Sequence, residues 1–427
     1  MDIRIEKPPV GGEVKAIASK PQAHRLLICA ALADKNTRIN CAERSDDIDA
    51  TVSCLVSLGA RIAYDGAGFK VQPSGIPVPT GPIIQVCGQS GATLRFMLPV
   101  CCALGVPAEF LMLGQLRKRP SSPLLEQLAA NGCDIAKHDG GLRCSGKLSS
   151  GEYFLKGNVS SQFMSGLLLA LPLLEGYSVI SVEGVVESMP FVTMTLDILR
   201  AFGVRIHLRG LRGGRGSVYL VEGPQNFRTP GTLVVEGDWS CAAPWLSAGA
   251  IRGSGVTCTG LNLGSNQGDM AITRLLERFG AKVAYEGDKV TVYPAELRGI
   301  EIDASDTPDL VPFLAVVAAA AKGETVINNA GRLRHGGNDR LRAVAETLRA
   351  LGADITERQD GLVVRGVKAL AGGSVPSRSD HRIVMMAAIA SAACDGPVTI
   401  TGAGAVSKSY PEFFVDFAKL GGKTAKA

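Results

Sequence analysis

The chain has 427 residues, of which 46% are hydrophobic and 20% charged, and its formal net charge is +5. This length exceeds what one ordinary hydrophobic core holds and predicts two domains. The charge is mild, and no run of Lys and Arg is interleaved with aromatic residues, which argues against nucleic-acid binding.

Composition and the N-terminus also argue against the membrane and secreted classes. The apolar runs are about 10–15 residues long, too short or too interrupted to span a bilayer. The N-terminus, MDIRIEKPPVGGEVKAIASK, lacks the apolar core of a signal peptide. The eleven cysteines contain no C-x-x-C pair, and an odd number suits a disulfide framework poorly. We therefore expect a cytoplasmic protein with no membrane contact and no metal site.

Apolar helices are predicted to recur about seventy residues apart, each opened by a Ser or Asp. The side-chain oxygens of these residues accept backbone N–H groups at a helix start. The predicted starts are Ser19, Ser90, Ser160, Asp238, Asp306 and Asp380. Helices that are apolar on every face must be buried. Their positive dipole ends favour the binding of anions.

A second series of amphipathic helices has the same period, and each member ends at a glycine. Glycine takes the left-handed conformation that ends many helices. The glycines are Gly59, Gly132, Gly203, Gly280, Gly352 and Gly421. After most of them, two alternating strands flank a turn, as in RIAYDGAGFKV, which predicts a hairpin. Each repeat is therefore predicted to hold a buried helix, strands, an amphipathic helix and a hairpin.

The repeats divide the chain into two predicted lobes of three repeats each. The segment FRTPGTLVVEGD is interpreted as a crossing back, and the N-terminal strand is predicted to complete the C-terminal half. The predicted domains are residues 19–236 and residues 1–18 with 237–427. Two such lobes can close on a ligand. Because closure needs no partner chain, we expect a monomer.

Charged side chains recur near the predicted helix starts. They are Lys20, Arg25, Arg95, Arg119, Asp339, Arg340, Asp380, His381, Arg382 and Lys408. A cation at a helix N-terminus is opposed by the helix dipole and calls for a compensating anion. A guanidinium binds carboxylate or phosphate through two parallel hydrogen bonds. Each charge alone is explained by a surface position or a salt bridge, but their recurrence indicates one or two small ligands with several negative charges.

Short stretches along the whole chain resemble the EPSP synthase (3-phosphoshikimate 1-carboxyvinyltransferase) family. They are SKPQAHR, GQSGATLR, RKRP, SSQF, VESMPF, EGDWSCAAPW, NQGD, TPD, NDRL, DHR and AVSKSYPEFF. The resemblance implies an α/β (α+β) fold, a two-lobed inside-out α/β barrel with three repeats in each lobe. It also implies transfer of the enolpyruvyl group of phosphoenolpyruvate to the 5-hydroxyl of shikimate 3-phosphate, by addition and elimination, in aromatic amino-acid biosynthesis. No metal or organic cofactor is implied.

The same resemblance implies roles for individual residues. Lys20, which touches both substrates, and Asp309, which accepts the hydroxyl proton, are the expected catalytic residues. The expected shikimate 3-phosphate ligands are Lys20, Arg25, Ser160, Ser161, Gln162, Ser188 and Asp309. The expected phosphoenolpyruvate ligands are Lys20, Gly91, Arg119, Gln162, Arg340, Arg382 and Lys408.

Several of these residues have a structural explanation that the sequence leaves open. Ser160 and Ser161 are equally well explained as helix caps, and Asp309 as a buried carboxylate at a helix start. His381 is expected to bond either to substrate or to backbone. Arg95 is interpreted as a support for the ligands rather than as a ligand.

One loop departs from the family pattern. Gly336 and Gly337 stand where the family has a lysine that contacts the shikimate phosphate and a glutamate assigned to proton donation. We hypothesise that His335 or Asn338 partly replaces this missing lysine and glutamate. Smaller departures are Pro21 for Ser, Gln89 for Asn, Ala92 for Thr, and Met189 and Phe191 for a polar pair.

Three functions are considered from the sequence, and a working synthase is favoured. Gly336 and Gly337 motivate an impaired paralogue that binds phosphorylated ligands without turnover. A UDP-N-acetylglucosamine enolpyruvyl transferase is disfavoured because no Cys lies in the loop GQLRKRPSSP. An RNA 3′-phosphate cyclase is disfavoured because the chain has no basic stripe.

Overall fold

A computed structural model of the chain describes residues 1–73, 81–158, 160–210, 216–335 and 339–427. Gly336, Gly337 and Asn338 lie outside the described residues, as does the side chain of His335. The chain forms two compact units. The N-terminal unit is Lys20–Val235, and the C-terminal unit combines Met1–Ser19 with Glu236–Ala427.

Buried and amphipathic helices alternate along both units. Those of the N-terminal unit are α1 (Lys20–Ala31), α2 (Asp46–Ser57), α3 (Gly91–Leu104), α4 (Leu124–Ala130), α5 (Ser161–Ala170) and α6 (Met189–Ala201). Those of the C-terminal unit are α7 (Trp239–Ile251), α8 (Ile272–Phe279), α9 (Val311–Ala320), α10 (Arg340–Ala350), α11 (His381–Ala390) and α12 (Phe413–Lys419). The odd-numbered helices are almost wholly buried, as predicted from their all-round apolar sequences.

Short strands surround these helices. The first twelve are β1 (Ile3–Lys7), β2 (Gly12–Lys15), β3 (Thr37–Asn40), β4 (Arg61–Tyr64), β5 (Gly68–Gln72), β6 (Ile83–Gly88), β7 (Ala108–Met112), β8 (Cys133–His138), β9 (Gly141–Gly146), β10 (Glu152–Lys156), β11 (Gly176–Glu183) and β12 (His207–Gly210). The others are β13 (Gly216–Gly223), β14 (Thr232–Val234), β15 (Val256–Thr259), β16 (Lys282–Glu286), β17 (Lys289–Tyr293), β18 (Glu301–Asp303), β19 (Glu324–Asn328), β20 (Asp354–Arg358), β21 (Gly361–Arg365), β22 (Gly373–Pro376), β23 (Val398–Thr401) and β24 (Lys423–Lys426).

Across the described ranges, the strands form six sheets of four strands each. Their orders are β14-β3-β5-β4, β6-β7-β9-β8, β10-β11-β13-β12, β2-β15-β17-β16, β18-β19-β21-β20 and β22-β23-β1-β24. Each sheet has one parallel pair and two antiparallel pairs. Parallel strands need a crossover connection, and a buried helix supplies it, as α3 does between β6 and β7. The predicted repeat is confirmed.

The N-terminal strand completes a sheet of the C-terminal unit, as predicted. β1 lies between β23 and β24, with Ile3 opposite Ile400 and Ile5 opposite Thr424. The side chains of Ile3 and Ile5 are buried. In the sixth repeat β1 therefore takes the place that a hairpin strand has in the other repeats.

The glycine stops are also confirmed. Gly59, Gly132, Gly203, Gly280, Gly352 and Gly421 all have positive φ angles, between 77° and 107°. A side chain is unfavourable in this left-handed region, so glycine ends each amphipathic helix at little conformational cost.

Four of the predicted caps are found, and two predictions are wrong. Ser90, Ser160, Asp238 and Asp380 each accept a backbone N–H at their helix start. The buried Ser19 Oγ has no hydrogen-bond partner among the described residues. Pro21, at the second helical position, lacks the N–H that a cap accepts.

Asp306 does not open the fifth buried helix. Thr307 precedes a 3-10 turn at Pro308–Leu310, and α9 begins only at Val311. Pro308 lies at the first position of this turn and Pro312 near the start of the helix, where a proline without an N–H is tolerated. Asp309 therefore lies within this 3-10 turn, and the backbone here differs from that at the other five helix starts.

Candidate functional site

Lys20 opens the first buried helix of the N-terminal unit. Its ammonium lies 2.7 Å from the carboxylate of Asp47, in the first turn of α2, and both side chains are largely buried. The carboxylate offsets the unfavourable position of a cation at a helix N-terminus. Lys20 is therefore held in place before any ligand binds.

Arg25 is held by hydrogen bonds within the N-terminal unit. Its guanidinium donates to the hydroxyls of Thr195 (2.7 Å) and Ser165 (3.1 Å) and to the carbonyls of Pro21 (2.6 Å) and Phe191 (3.2 Å). The side chain is 2% exposed. Burial lowers the pKa of Arg25 to about 9, so the group is still cationic at neutral pH. No carboxylate is among these partners, and its positive charge remains available to an anionic ligand.

Gly91 lies at a point where three polar side chains of the N-terminal unit converge. A Cβ atom on Gly91 would lie 3.1 Å from Nη1 of Arg119, 3.2 Å from Nη1 of Arg95 and 3.7 Å from Oε1 of Gln162. Arg95 also donates to Gln162 Oε1 (2.6 Å) and to the carbonyl of Pro120 (3.0 Å). Arg95 thus orients Gln162, which fits the supporting role expected for it.

The predicted serines lie at two helix starts. Ser160 caps α5 by accepting the N–H of Gln162 at 3.3 Å, and Ser161 is the first residue of that helix. Ser188 precedes α6 in a left-handed conformation with φ of 54° and is 1% exposed. A non-glycine residue in this conformation is uncommon and marks a constrained turn.

Asp309 is the meeting point of two arginines in the C-terminal unit. Its Oδ1 accepts from Arg340 Nη1 at 3.0 Å, and its Oδ2 lies 2.9 Å from Arg382 Nη2. Arg340 also donates through Nε to Asp380 at 2.8 Å. Two guanidinium groups and two carboxylates thus form a nearly neutral cluster at the starts of α10 and α11.

Burial and neighbouring charge act in opposite directions on this cluster. Burial acts to raise the pKa of Asp380, but Arg340 and His381 outweigh it and hold that pKa well below its usual range. Burial acts to lower the pKa of Arg382, and the charges of Asp309 and Asp269 outweigh it. Both groups are therefore charged at neutral pH.

The remaining predicted residues lie at helix and turn ends of the C-terminal unit. His381 and Arg382 begin α11, and His381 Nδ1 lies 3.9 Å from the Asp380 carboxylate. Lys408 ends a 3-10 turn at Ala403–Lys408 and is half-buried. Asp339 caps α10.

Two carboxylates next to the predicted residues were not assigned from the sequence. Asp47 pairs with Lys20, and Asp269 accepts a short hydrogen bond from Ser240 while lying 3% exposed. Asp269 belongs to the NQGD stretch, which is one of those that carry the family resemblance. The burial of Asp269, however, depends on the packing of its turn against α7.

Neither a metal site nor a membrane-spanning helix was expected from the sequence. In the described ranges, no group of three or more His, Cys, Asp or Glu is arranged to hold a metal ion. The described helices include none that is long and apolar enough to cross a membrane. The cysteines are all buried free thiols.

The fold matches solved structures over nearly its whole length. EPSP synthase from Acinetobacter baumannii superimposes with a TM-score of 0.80 at 23% identity, covering 99% of each chain. The enolpyruvyl transferase NikO from Streptomyces tendae gives 0.77 at 20% identity, covering 99% of this chain and 98% of its own. The predicted fold class is confirmed: the chain has the repeat-built α/β fold of the enolpyruvyl transferases.

Sequence comparison gives the family. The family model of EPSP synthase (3-phosphoshikimate 1-carboxyvinyltransferase) matches residues 5–417. A 3-phosphoshikimate 1-carboxyvinyltransferase of Clostridium kluyveri is 38% identical over 423 residues, which is 99% of this chain and 97% of the relative. One from Clostridium perfringens is 40% identical over 414 residues, 96% of each. The chain belongs to the EPSP synthase family.

Proposed function

We propose that this chain transfers the enolpyruvyl group of phosphoenolpyruvate to the 5-hydroxyl of shikimate 3-phosphate. The products are 5-enolpyruvylshikimate 3-phosphate and phosphate. The observation that carries the proposal is the family match over residues 5–417, on a chain whose Asp309 is held by two arginines. The reaction is a step of aromatic amino-acid biosynthesis, and the chain is a transferase.

The proposal assigns each substrate a set of ligands. Shikimate 3-phosphate is bound by Lys20, Arg25, Ser160, Ser161, Gln162, Ser188 and Asp309. Phosphoenolpyruvate is bound by Lys20, Gly91, Arg119, Gln162, Arg340, Arg382 and Lys408. Backbone N–H groups at the start of α5 favour a phosphate there.

Asp309 takes the proton of the 5-hydroxyl as this oxygen attacks the enolpyruvyl carbon. Its two arginine partners fix the orientation of the carboxylate, which a general base requires. The methyl group of the tetrahedral adduct then loses a proton as phosphate leaves, which restores the carbon–carbon double bond, and the negative charge of the phosphate is stabilised by the cationic side chains. Positioning of two reactants contributes further to the rate.

The proton that must reach the methylene carbon has no familiar donor, because Gly337 replaces the family glutamate. We propose that His335 or Asn338 reshapes this loop and partly replaces the missing Lys-Glu pair. A His335→Ala variant that retains full turnover would remove His335 from this role.

The experiment is phosphate release by the purified protein, with each substrate omitted in turn. Release that needs both substrates supports the proposal. An Asp309→Asn variant should lose about 10²- to 10⁴-fold in kcat, the usual contribution of a general base. Asp303→Asn, a change in an exposed residue of β18, is the matched control and should retain kcat.

A second candidate function, binding of both ligands without catalysis, is motivated only by Gly336 and Gly337. A chain that binds both ligands without chemistry would show no phosphate release, while shikimate 3-phosphate would still raise its melting temperature. UDP-N-acetylglucosamine is the third substrate to try. The buried state of all the cysteines argues against the reactive Cys of that transferase class.

The substrates are the only partners that the proposal needs. No cofactor is required by the chemistry. We further expect a monomer located in the cytoplasm, and size-exclusion chromatography with light scattering tests the first of these points.

A further inference from the structure

Arg334 is a partly buried arginine that is not among the residues assigned to the substrates. It lies in the 3-10 turn Gly331–His335, and its side chain is 24% exposed. Its guanidinium donates four hydrogen bonds, to two carboxylates and two backbone carbonyls. The acceptors are Asp339 (2.8 Å), Glu357 (2.6 Å), the carbonyl of Gln359 (2.8 Å) and the carbonyl of Arg358 (2.5 Å).

These partners indicate that Arg334 holds the protein together rather than a substrate. A guanidinium has five N–H donors, and four of those of Arg334 are already used. Its positive charge is compensated by the carboxylates of Asp339 and Glu357. Little charge and one donor therefore remain for an anionic ligand.

The contacts of Arg334 join the start of α10 to the hairpin of β20 and β21. Glu357 and the two carbonyls belong to this hairpin, while Asp339 is the cap of α10. Asp339 Oδ1 accepts the N–H of Arg342 at 2.9 Å, its Oδ2 binds Arg334, and its carbonyl accepts the N–H of Ala343 at 2.9 Å. One side chain thus fixes the residue on which the first turn of α10 is built.

The first residue of α10 is Arg340, which contacts the proposed general base. Arg340 donates to Asp309 at 3.0 Å and to Asp380 at 2.8 Å. Because Arg340 directly follows Asp339, a change in the backbone at this cap alters the direction of its guanidinium. The ion pair of Arg334 with Asp339 also joins the two residues that flank positions 335–338, the loop that departs from the family pattern.

We infer that Arg334 is a positioning residue that holds the start of α10, and with it Arg340, in the orientation that orders Asp309. It acts through Asp339 and not on the reacting atoms. Small misplacements of groups that orient the reactants are costly in rate, so this link contributes to turnover. The inference rests on the proposed function, because Asp309 and Arg340 have their roles in it.

Arg334→Ala removes the link between the hairpin and α10. We expect KM for phosphoenolpyruvate to rise about three- to tenfold and kcat to fall about tenfold, because Arg340 and Asp309 lose their fixed orientation. KM for shikimate 3-phosphate should change little, since most of its proposed ligands lie in the N-terminal unit.

Arg349→Ala is the matched control for the kinetic constants. Arg349 also lies on α10 and donates to a backbone carbonyl of β20, that of Ile355, at 3.1 Å. It does so from the last turn of the helix, far from Arg340. This variant should keep kcat and both KM values of the parent.

Two further variants keep the inference testable if Arg334→Ala fails to fold. Arg334→Lys keeps a charge for Asp339 but lacks the planar fork that also reaches the carbonyls, so it should retain more of the kcat than Arg334→Ala. Asp339→Asn keeps a capping oxygen and loses the ion pair, so KM for phosphoenolpyruvate should again rise. The double variant with Arg334→Ala and Asp339→Asn should be no worse than Arg334→Ala, since both changes remove one link.

Amide hydrogen exchange tests the link without catalysis. The N–H groups of Arg342 and Ala343 both bond to Asp339, so they should exchange about tenfold faster in Arg334→Ala than in the parent. The same amides should exchange at the rate of the parent in Arg349→Ala.

The outcomes separate the inference from the proposed function. A parent that releases no phosphate with both substrates refutes the proposed function, while exchange at Arg342 and Ala343 still reports on the link. Unchanged exchange at these amides in Arg334→Ala overturns the inference. Kinetic constants of Arg334→Ala that equal those of Arg349→Ala also overturn it, as do additive losses in the double variant.

Discussion

Gly91 shows how a residue without a side chain leaves room at the proposed phosphoenolpyruvate site. The side chains of Arg95, Arg119 and Gln162 reach the space that a Cβ atom would fill. The backbone at Gly91 does not have a positive φ, so the requirement for glycine here comes from its neighbours rather than from strain. Any enlargement must displace the guanidinium groups.

Gly91→Ala tests this interpretation. The added methyl requires the two arginines to move by a few tenths of an ångström, which flexible side-chain ends can do. We expect KM for phosphoenolpyruvate to rise about three- to tenfold, since small misplacements of binding groups are costly, with kcat less affected. Gly210→Ala is the control, because a Cβ there meets open space. An unchanged KM in Gly91→Ala would contradict the proposed position of the donor.

At the scale of elements, a buried hydrogen-bond chain joins the first three helices. His24 Nδ1 on α1 lies 2.7 Å from the Thr51 hydroxyl on α2, which lies 2.7 Å from the Thr93 hydroxyl on α3. Thr93 donates to Ser90, the cap of α3, at 2.7 Å. Burial lowers the pKa of His24 to about 3, so the ring is neutral. The chain connects the helix that carries Lys20 with the cap next to Gly91.

Thr51→Val should break this chain while preserving shape. It leaves the buried Nδ1 of His24 without a partner, while Thr93 keeps its hydrogen bond to Ser90. One unsatisfied buried group costs about 1–3 kcal/mol, so we expect the free energy of unfolding, measured with urea, to fall by about that amount. Thr51→Ser keeps the hydroxyl and is the control. Equal stability of the two variants would show that the chain contributes nothing.

Elements were predictable from the sequence where the signal is local. The apolar helices and the glycine stops are encoded within a few residues, and the structure confirms them. Ser19 and Asp306 were assigned wrongly because prolines at positions 21, 308 and 312 change which N–H groups a helix start offers. Cap prediction fails where proline removes the donor.

The candidate site was less accessible, because its geometry depends on contacts between repeats. The approach of Arg119 and Gln162 to Gly91 joins residues from two repeats, and no local pattern encodes it. Asp269 carries no helix-start signal, and its burial and raised pKa come from packing against α7. The family resemblance named Lys20 but not Asp47, the carboxylate that holds it.

At the scale of the whole molecule, the two units depend differently on the continuity of the chain. The N-terminal unit is one continuous segment, and β14 near its end completes the sheet of the first repeat. The C-terminal unit needs residues from both ends of the chain. β1 lies inside the sheet of the sixth repeat, and β2 pairs with β15 in the sheet of the fourth.

This difference predicts how fragments behave. Residues 20–235 should fold alone, with a cooperative thermal transition. Residues 236–427 should not, because the absence of β1 leaves β24 without a partner strand, opens one edge of β23 and removes the buried side chains of Ile3 and Ile5. Unpaired buried edges cost free energy and expose aggregation-prone strands.

Adding a peptide of residues 1–19 should restore folding of the larger C-terminal segment, whereas the same peptide with Ile3→Asp and Ile5→Asp should not. Circular dichroism with thermal melting measures each case. A cooperative transition of residues 236–427 without the peptide would show that β1 and β2 are dispensable for folding. It would also show that their pairing with the C-terminal strands adds little to stability.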